Sequence, residues 1–193
     1  MKNYTLILFL LLLIMPGGLK AQQVGIRTNL LYWGTTTPNL SVETALTKKI
    51  TLEITGGYNP FTFDDNKKLR HWLVQPELRL WTCEKFVGSF FGFHAHYGEY
   101  NVGGIKLPLD IFKGLENHRY QGYAVGGAFR YGYQWYLGPH WNIEAQFGFG
   151  YTYTEFDKYE CHKCGEHLGR GHKHYFGPTR IGVSLVYLFK SKK

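Results

Sequence analysis

The densest reactive chemistry in this chain is the segment CHKCGEHLGRGHKH, residues 161–174. Cys161 and Cys164 stand at C-x-x-C spacing with His162 between them, and His167, His172 and His174 follow. Thiolates and imidazoles so placed can wrap a tetrahedral zinc, with Cys161, Cys164, His172 and His174 as the expected ligands and His167 as a substitute. In an exported chain the same two thiols can instead close a small disulfide at a loop tip. Zinc and a Cys161–Cys164 disulfide therefore compete for this segment, and no other cofactor is expected. Haem attachment is excluded, because Gly165 rather than His follows the second cysteine. Cys83 lies far away, in a predicted turn, and reads as an unpaired thiol.

A second set of residues could do acid–base or ion-pair chemistry. Arg27, Glu43, Glu53, Glu77, Arg79, Arg130, Glu144 and Arg180 all fall on the polar side of alternating segments. What those segments are decides what the charges do. The clearest is WNIEAQFGFGYTY, residues 141–153, with apolar or aromatic side chains at every odd position and polar or tiny ones between. A period of two over that length marks a strand, because successive side chains point to opposite faces. Strands in soluble sheets are commonly about half as long. A long strand with one greasy and one polar face suits a membrane-spanning barrel.

Eight strands are expected, over 24–33, 37–46, 50–59, 70–81, 86–98, 121–136, 140–154 and 178–189. The links at 47–49, 82–85 and 137–139 are tight, while 60–69, 99–120 and 155–177 are long and only 34–36 breaks the pattern. The predicted fold is all-β: an eight-stranded antiparallel up-and-down transmembrane β-barrel with short periplasmic turns and longer extracellular loops. A soluble lipocalin-like barrel or a sandwich is the alternative. It would turn the apolar face inward and leave the aromatic strand ends without a role.

The N-terminus points the same way. Lys2 precedes an apolar run from Leu6 to Met15, Pro16-Gly17-Gly18 breaks it, and Leu19-Lys20-Ala21 offers a cleavage point. Residues 1–21 read as a signal peptide and 22–193 as one barrel domain in the outer membrane of a Gram-negative cell. The net charge of +8 is dispersed along the strands. That excludes a nucleic-acid interface and suits contact with anionic lipid or polysaccharide.

Alternation assigns the interior. Arg27, Arg79, Arg130 and Arg180 should meet Glu43, Glu53, Glu77 and Glu144 in one layer, since charges inside so narrow a barrel must pair. Phe86, Val186 and Leu188 also turn inward and should help close the periplasmic mouth. The expectation is a plugged lumen, with His94 and His96 as hydrogen-bonded polar fillers. The third loop on the long-loop side, 99–120, carries Leu107, Leu109, Ile111, Phe112 and Leu115. With Pro108 and Gly114 it suggests a short helical lid or a docking patch.

The blocks VGIRTNLLYWGTTTPNLSVETAL, LEITGGYNPF, QPELRLW and AVGGAFRYGYQWYLGPHWNIEAQFGFGY resemble a domain-of-unknown-function family of small outer-membrane barrels from gut and oral anaerobes. The resemblance implies an integral outer-membrane barrel, often encoded near fimbrial components, with no assigned catalytic residues. The Cys/His segment is not attributable to it. The closing IGVSLVYLF resembles a barrel-assembly signal, although Lys190-Ser191-Lys192-Lys193 extend past Phe189. The expected function is non-enzymatic: support of the envelope, of a surface fibre or of a ligand through the loops. Partners would be outer-membrane lipid and a fimbrial or other surface protein. The competing class is a lipid-modifying enzyme of the lipid A deacylase or acyltransferase kind. Its outward nucleophile would be Ser89, but His94 and His96 fall on the opposite face.

Overall fold

The computed structural model describes residues 23–62, 67–104, 115, 118–160 and 165–189. The proposed signal peptide, most of the apolar 105–117 segment and residues 161–164 lie outside the described residues. Eight strands run in chain order: β1 Val24–Asn29, β2 Asn39–Ala45, β3 Ile50–Asn59, β4 Lys68–Trp81, β5 Gly88–Gly103, β6 His118–Tyr136, β7 Trp141–Glu160 and β8 His167–Phe189. Each pairs antiparallel with its neighbours, and β8 returns to β1 to close an up-and-down barrel. One short helix, α1 (Leu30–Gly34), joins β1 to β2. No described helix is long and apolar enough to cross a membrane.

The short turns cluster at one end. Leu46 and Leu137 close two of them by donating to the carbonyls of Ile50 and Trp141, at 2.9 and 3.0 Å. In the first, the Thr47 hydroxyl also accepts from the backbone N–H of Ile50. The other end carries α1 and the remaining connections, and there the strands are unequal. β1 to β3 stop early, while β4 to β8 continue as a tall curved wall.

Several boundaries differ from the sequence expectation, including β5 and β6, which extend to Gly103 and from His118 into the expected 99–120 loop, and three differ for identifiable reasons. The first strand ends at Asn29, four residues early, because the Asn29 side chain accepts from the Leu31 backbone N–H and caps α1. The 155–177 segment is largely strand: β7 runs on to Glu160 and β8 starts at His167. Pro178 resembled a strand start because it cannot donate to a ladder. Here it sits at a β-bulge, where Gly148 pairs with Arg180 but Phe149 pairs with Pro178, so the strand passes through it. Above Ser184 only β7 flanks β8, since β1 reaches no higher than the Asn29–Ser184 pair.

Within the band that the barrel's middle forms, alternation holds on every strand. The outward face is apolar across the middle of the barrel: Leu78 and Leu80 on β4, Phe91 and Phe93 on β5, Phe129 and Tyr131 on β6, Phe147 and Phe149 on β7 are all exposed. Aromatic rows bound this band. At the short-turn end Tyr133 meets Trp135, and Trp141 meets Tyr187, which meets Phe189. At the other end Trp72, Tyr97, Tyr123, Tyr153 and His174 form a continuous chain of ring contacts across five strands. From Trp141 to Tyr153 along β7 the rise is about 30 Å on the barrel axis once strand tilt is included.

Small residues make the narrow interior possible. A Cβ at Gly132 would collide with the Phe90 ring, one at Gly92 with the Glu77 carboxylate, and one at Gly150 with Ala128 and the Gly127 carbonyl. Because the Gly150 obstacle is backbone, side-chain rearrangement cannot relieve it. Gly150→Val should therefore abolish the compact, heat-modifiable species that folded barrels show on cold gel electrophoresis. Gly138→Ala, in open space at a turn, should leave that species intact.

Candidate functional site

Seven of the eight strands supply the central layer: β1 gives Arg27, β2 Glu43, β3 Glu53, β4 Glu77 and Arg79, with Arg130, Glu144 and Arg180 from β6, β7 and β8. All eight are buried. Glu53 is the hub. Its carboxylate lies 3.1 Å from Arg27 Nε, 3.5 Å from Arg130 Nη2 and 3.7 Å from Arg180 Nη2, and it also pairs with Arg79. Arg79 answers from the other side, with Nε 2.8 Å from Glu77 and Nη1 3.0 Å from Glu144 and 3.3 Å from Glu43. Arg27 also pairs with Glu43 and Glu144, and Arg130 with Glu77. Four positive and four negative groups thus form one neutral lattice, which is the arrangement that offsets the desolvation of buried ions.

Neutral groups extend it. Thr51 donates to Glu43, Thr55 to Glu53 at 2.8 Å, and Arg180 Nη1 to Gln75 Oε1 at 2.9 Å. His94 is buried above the lattice with Nδ1 3.9 Å from Glu77, and His96 contacts the Thr152 hydroxyl at 2.9 Å. The His94 ring nitrogens have no hydrogen-bond partner among the described residues, so the expected hydrogen-bonded filler is found at His96 and not at His94.

Below the lattice the lumen is closed by packing. Trp81, Phe86, Phe90, Val186, Leu188 and Ala45 form one buried cluster. Phe90 lies under the Arg79 guanidinium, 4.5 Å from ring centroid to Cζ, so the seal is coupled to the charges by a cation–π contact. Trp81 Nε1 donates to Thr51 at 2.9 Å. Phe86 holds φ at +66°, and its carbonyl accepts from Gln134 and Asn142 at 2.9 and 3.0 Å. Sequence reading named Phe86, Val186 and Leu188 but missed Trp81, Phe90 and Asn142. Their parity with Arg79, His94 and Glu144 was the available signal; an aromatic residue on a membrane strand reads by default as outward.

The Cys/His segment is divided. Cys161 and Cys164 lie outside the described residues. His172 and His174 sit on β8, facing outward opposite Glu155 and Tyr153. Six residues, about 20 Å of strand, separate His172 from Glu166 at the hairpin end. His174 Nδ1 is 2.6 Å from the Tyr151 hydroxyl, and His167 Nε2 is 3.1 Å from Asp157. Among the described residues no group of three or more His, Cys, Asp or Glu side chains is placed to hold a metal ion. Cys83 is a free, exposed thiol in the β4–β5 turn. Ser89 faces outward, 3.2 Å from the Tyr131 hydroxyl.

The lattice predicts a graded cost. Glu53→Ala would strand parts of four guanidinium groups and should destabilise the folded barrel by about 3–5 kcal/mol. Arg180→Met, which removes one 3.7 Å ion pair and hydrogen bonds to the neutral Gln75 and Thr55, should cost clearly less. Urea titration followed by loss of the heat-modifiable form measures both.

Residues 6–189 match the family model described as Protein of unknown function (DUF3575). No curated protein and no solved structure matches the chain. That match takes in all eight strands, the eight lattice charges and the seal beneath them, and on its extent the chain belongs to the DUF3575 family.

Proposed function

We propose that this protein is an integral outer-membrane barrel with a closed lumen, acting without catalysis at the cell surface. The observation that carries the reading is the outward apolar band bounded by two aromatic rows. Between those rows no strand turns a Lys, Arg, Asp or Glu outward among the described residues. The height of about 30 Å matches a bilayer's hydrocarbon core. Aromatic girdles at both edges are the usual signature of such barrels. Leu30, Leu31 and Trp33 of α1 are exposed beside the long-loop end, where they suit the lipid interface.

The closed lumen is supported by the aromatic cluster and the neutral lattice stacked above it. A conducting path would need an aqueous route past both. The non-enzymatic reading is supported by the surroundings of Ser89: among the described residues the partner of its hydroxyl is the Tyr131 hydroxyl, with no imidazole or carboxylate beside it to take its proton. The long-loop end, with its tall wall, is the natural surface for a ligand or for docking of a surface fibre.

Brominated-lipid quenching in vesicles tests the placement. Phospholipids brominated near the headgroup should quench Trp141 and Trp72 in single-tryptophan variants, while chains brominated at the bilayer centre should quench Phe129→Trp. Equal quenching of all three would contradict it. In planar bilayers the purified protein should give no stable large conductance. The lipid A profile should be identical in cells with and without the gene; one altered acyl chain would favour the enzyme.

A further inference from the structure

From the upper aromatic row upward the outward face of the tall wall is a regular grid. Register places Arg70, Asn101, Gln121 and Asp157 side by side on β4, β5, β6 and β7. The row below runs Tyr58, Trp72, Glu99, Tyr123 and Glu155, from β3 to β7. All of these except Glu155 line an open pocket of ≈ 470 Å³, with Asn59, His71, Tyr100 and Gly122 beside them. We propose that this pocket is a saccharide-binding site, taking pyranose rings from the glycan layer that surrounds the barrel at the cell surface.

The chemistry of the lining selects this ligand. A pyranose has C–H-rich faces that pack on aromatic rings and an equatorial rim of hydroxyls that both donate and accept. Tyr58 and Trp72 are neighbouring exposed rings, at 58% and 38% accessibility. Beside them stand planar polar groups of both kinds. The Arg70 guanidinium makes no hydrogen bond or ion pair among the described residues and offers a rigid fork of donors. Asn101 donates to Gln121 at 3.3 Å, which leaves the Gln121 amide N–H₂ free. The Asn101 carbonyl oxygen is buried and accepts no hydrogen bond among the described residues. Glu99 is fixed by Trp72 Nε1 at 3.2 Å and by the Tyr97 hydroxyl at 3.3 Å, so one carboxylate is oriented before any ligand arrives.

Competing ligands fit less well. The pocket has the volume of a small-molecule site and is far below the area a stable protein interface needs. Its lining sets one cation, Arg70, against two carboxylates, Glu99 and Asp157, so it does not favour a bare anion. An acyl chain would find no apolar row at this level.

That the site stands beside a glycan layer rests on the outer-membrane reading above; its chemistry does not, and the test is made in detergent. Folded full-length protein is titrated with two probes, the delipidated core oligosaccharide of its host's lipopolysaccharide and the intact lipopolysaccharide, with calorimetry as the readout. Trp72→Ala should weaken binding by about tenfold, the loss of one aromatic contact. Arg70→Ala and Gln121→Ala lie above the girdle and leave the barrel intact, as the heat-modifiable band would show. Each should weaken binding by about fivefold, as for one hydrogen bond. Binding of both probes with these losses means recognition of the sugar itself. Binding of the intact glycolipid alone, with the same losses, means a lipid-anchored sugar. Absence of binding by the wild type, or unchanged affinity in the folded Arg70 and Gln121 variants, overturns the proposal. Lipid quenching that failed while sugar binding held would reject the membrane placement and leave the site standing.

Discussion

Eight ionised side chains sealed inside a narrow tube set the terms for the rest of this barrel. None can be moved alone, because each is compensated by partners from other strands. A one-residue slip of any strand would carry its charge to the greasy exterior and leave its partners bare. The lattice thus fixes register around the ring, which weak local propensity in Gly- and Thr-rich strands would not do. It also explains where glycine is needed. Glu77 reaches its arginines across Gly92, and Phe90 lies flat beneath Arg79 only because residue 132 has no side chain.

The two faces of the barrel solve opposite solvation problems with the same alternation. Inside, polarity is tolerated because every charge is paired; outside, apolar side chains need no partner at all. Above the upper aromatic row this opposition ends, and both faces of the wall become polar. The strands continue there because backbone pairing is already established below, so each further residue adds ladder bonds without a new loop-closure cost.

That change in polarity also marks how far the sequence could be read. Within the band, the period of two assigned the eight lattice residues to one face, residue by residue. Beyond it the period vanishes: residues 154–160 and 167–176 carry polar and aromatic side chains on both sides, and the strand signal disappears with them. The Gly177-Pro178 pair then resembled a boundary, although a bulge carries β8 straight through it. The outward rows of polar and aromatic side chains were hidden for a different reason. Arg70, Asn101, Gln121 and Asp157 are scattered in sequence, and only inter-strand register brings them into line. Trp81 and Phe90 were missed because aromatic character outweighed parity.

The mismatch between β1 and β8 has a consequence for how the molecule avoids its own kind. β8 has 23 residues and β1 only six, so the upper part of β8 presents main-chain donors and acceptors to the surroundings. Such a margin is a template for a neighbouring chain to add itself, and crowded barrels would zip together along it. The sequence blunts the template at intervals. Pro178 removes one donor, the adjoining bulge breaks the spacing, and Gly169 at φ +136° bends the backbone out of strand geometry. The residues that hid this strand from sequence reading are therefore among those that blunt its open edge.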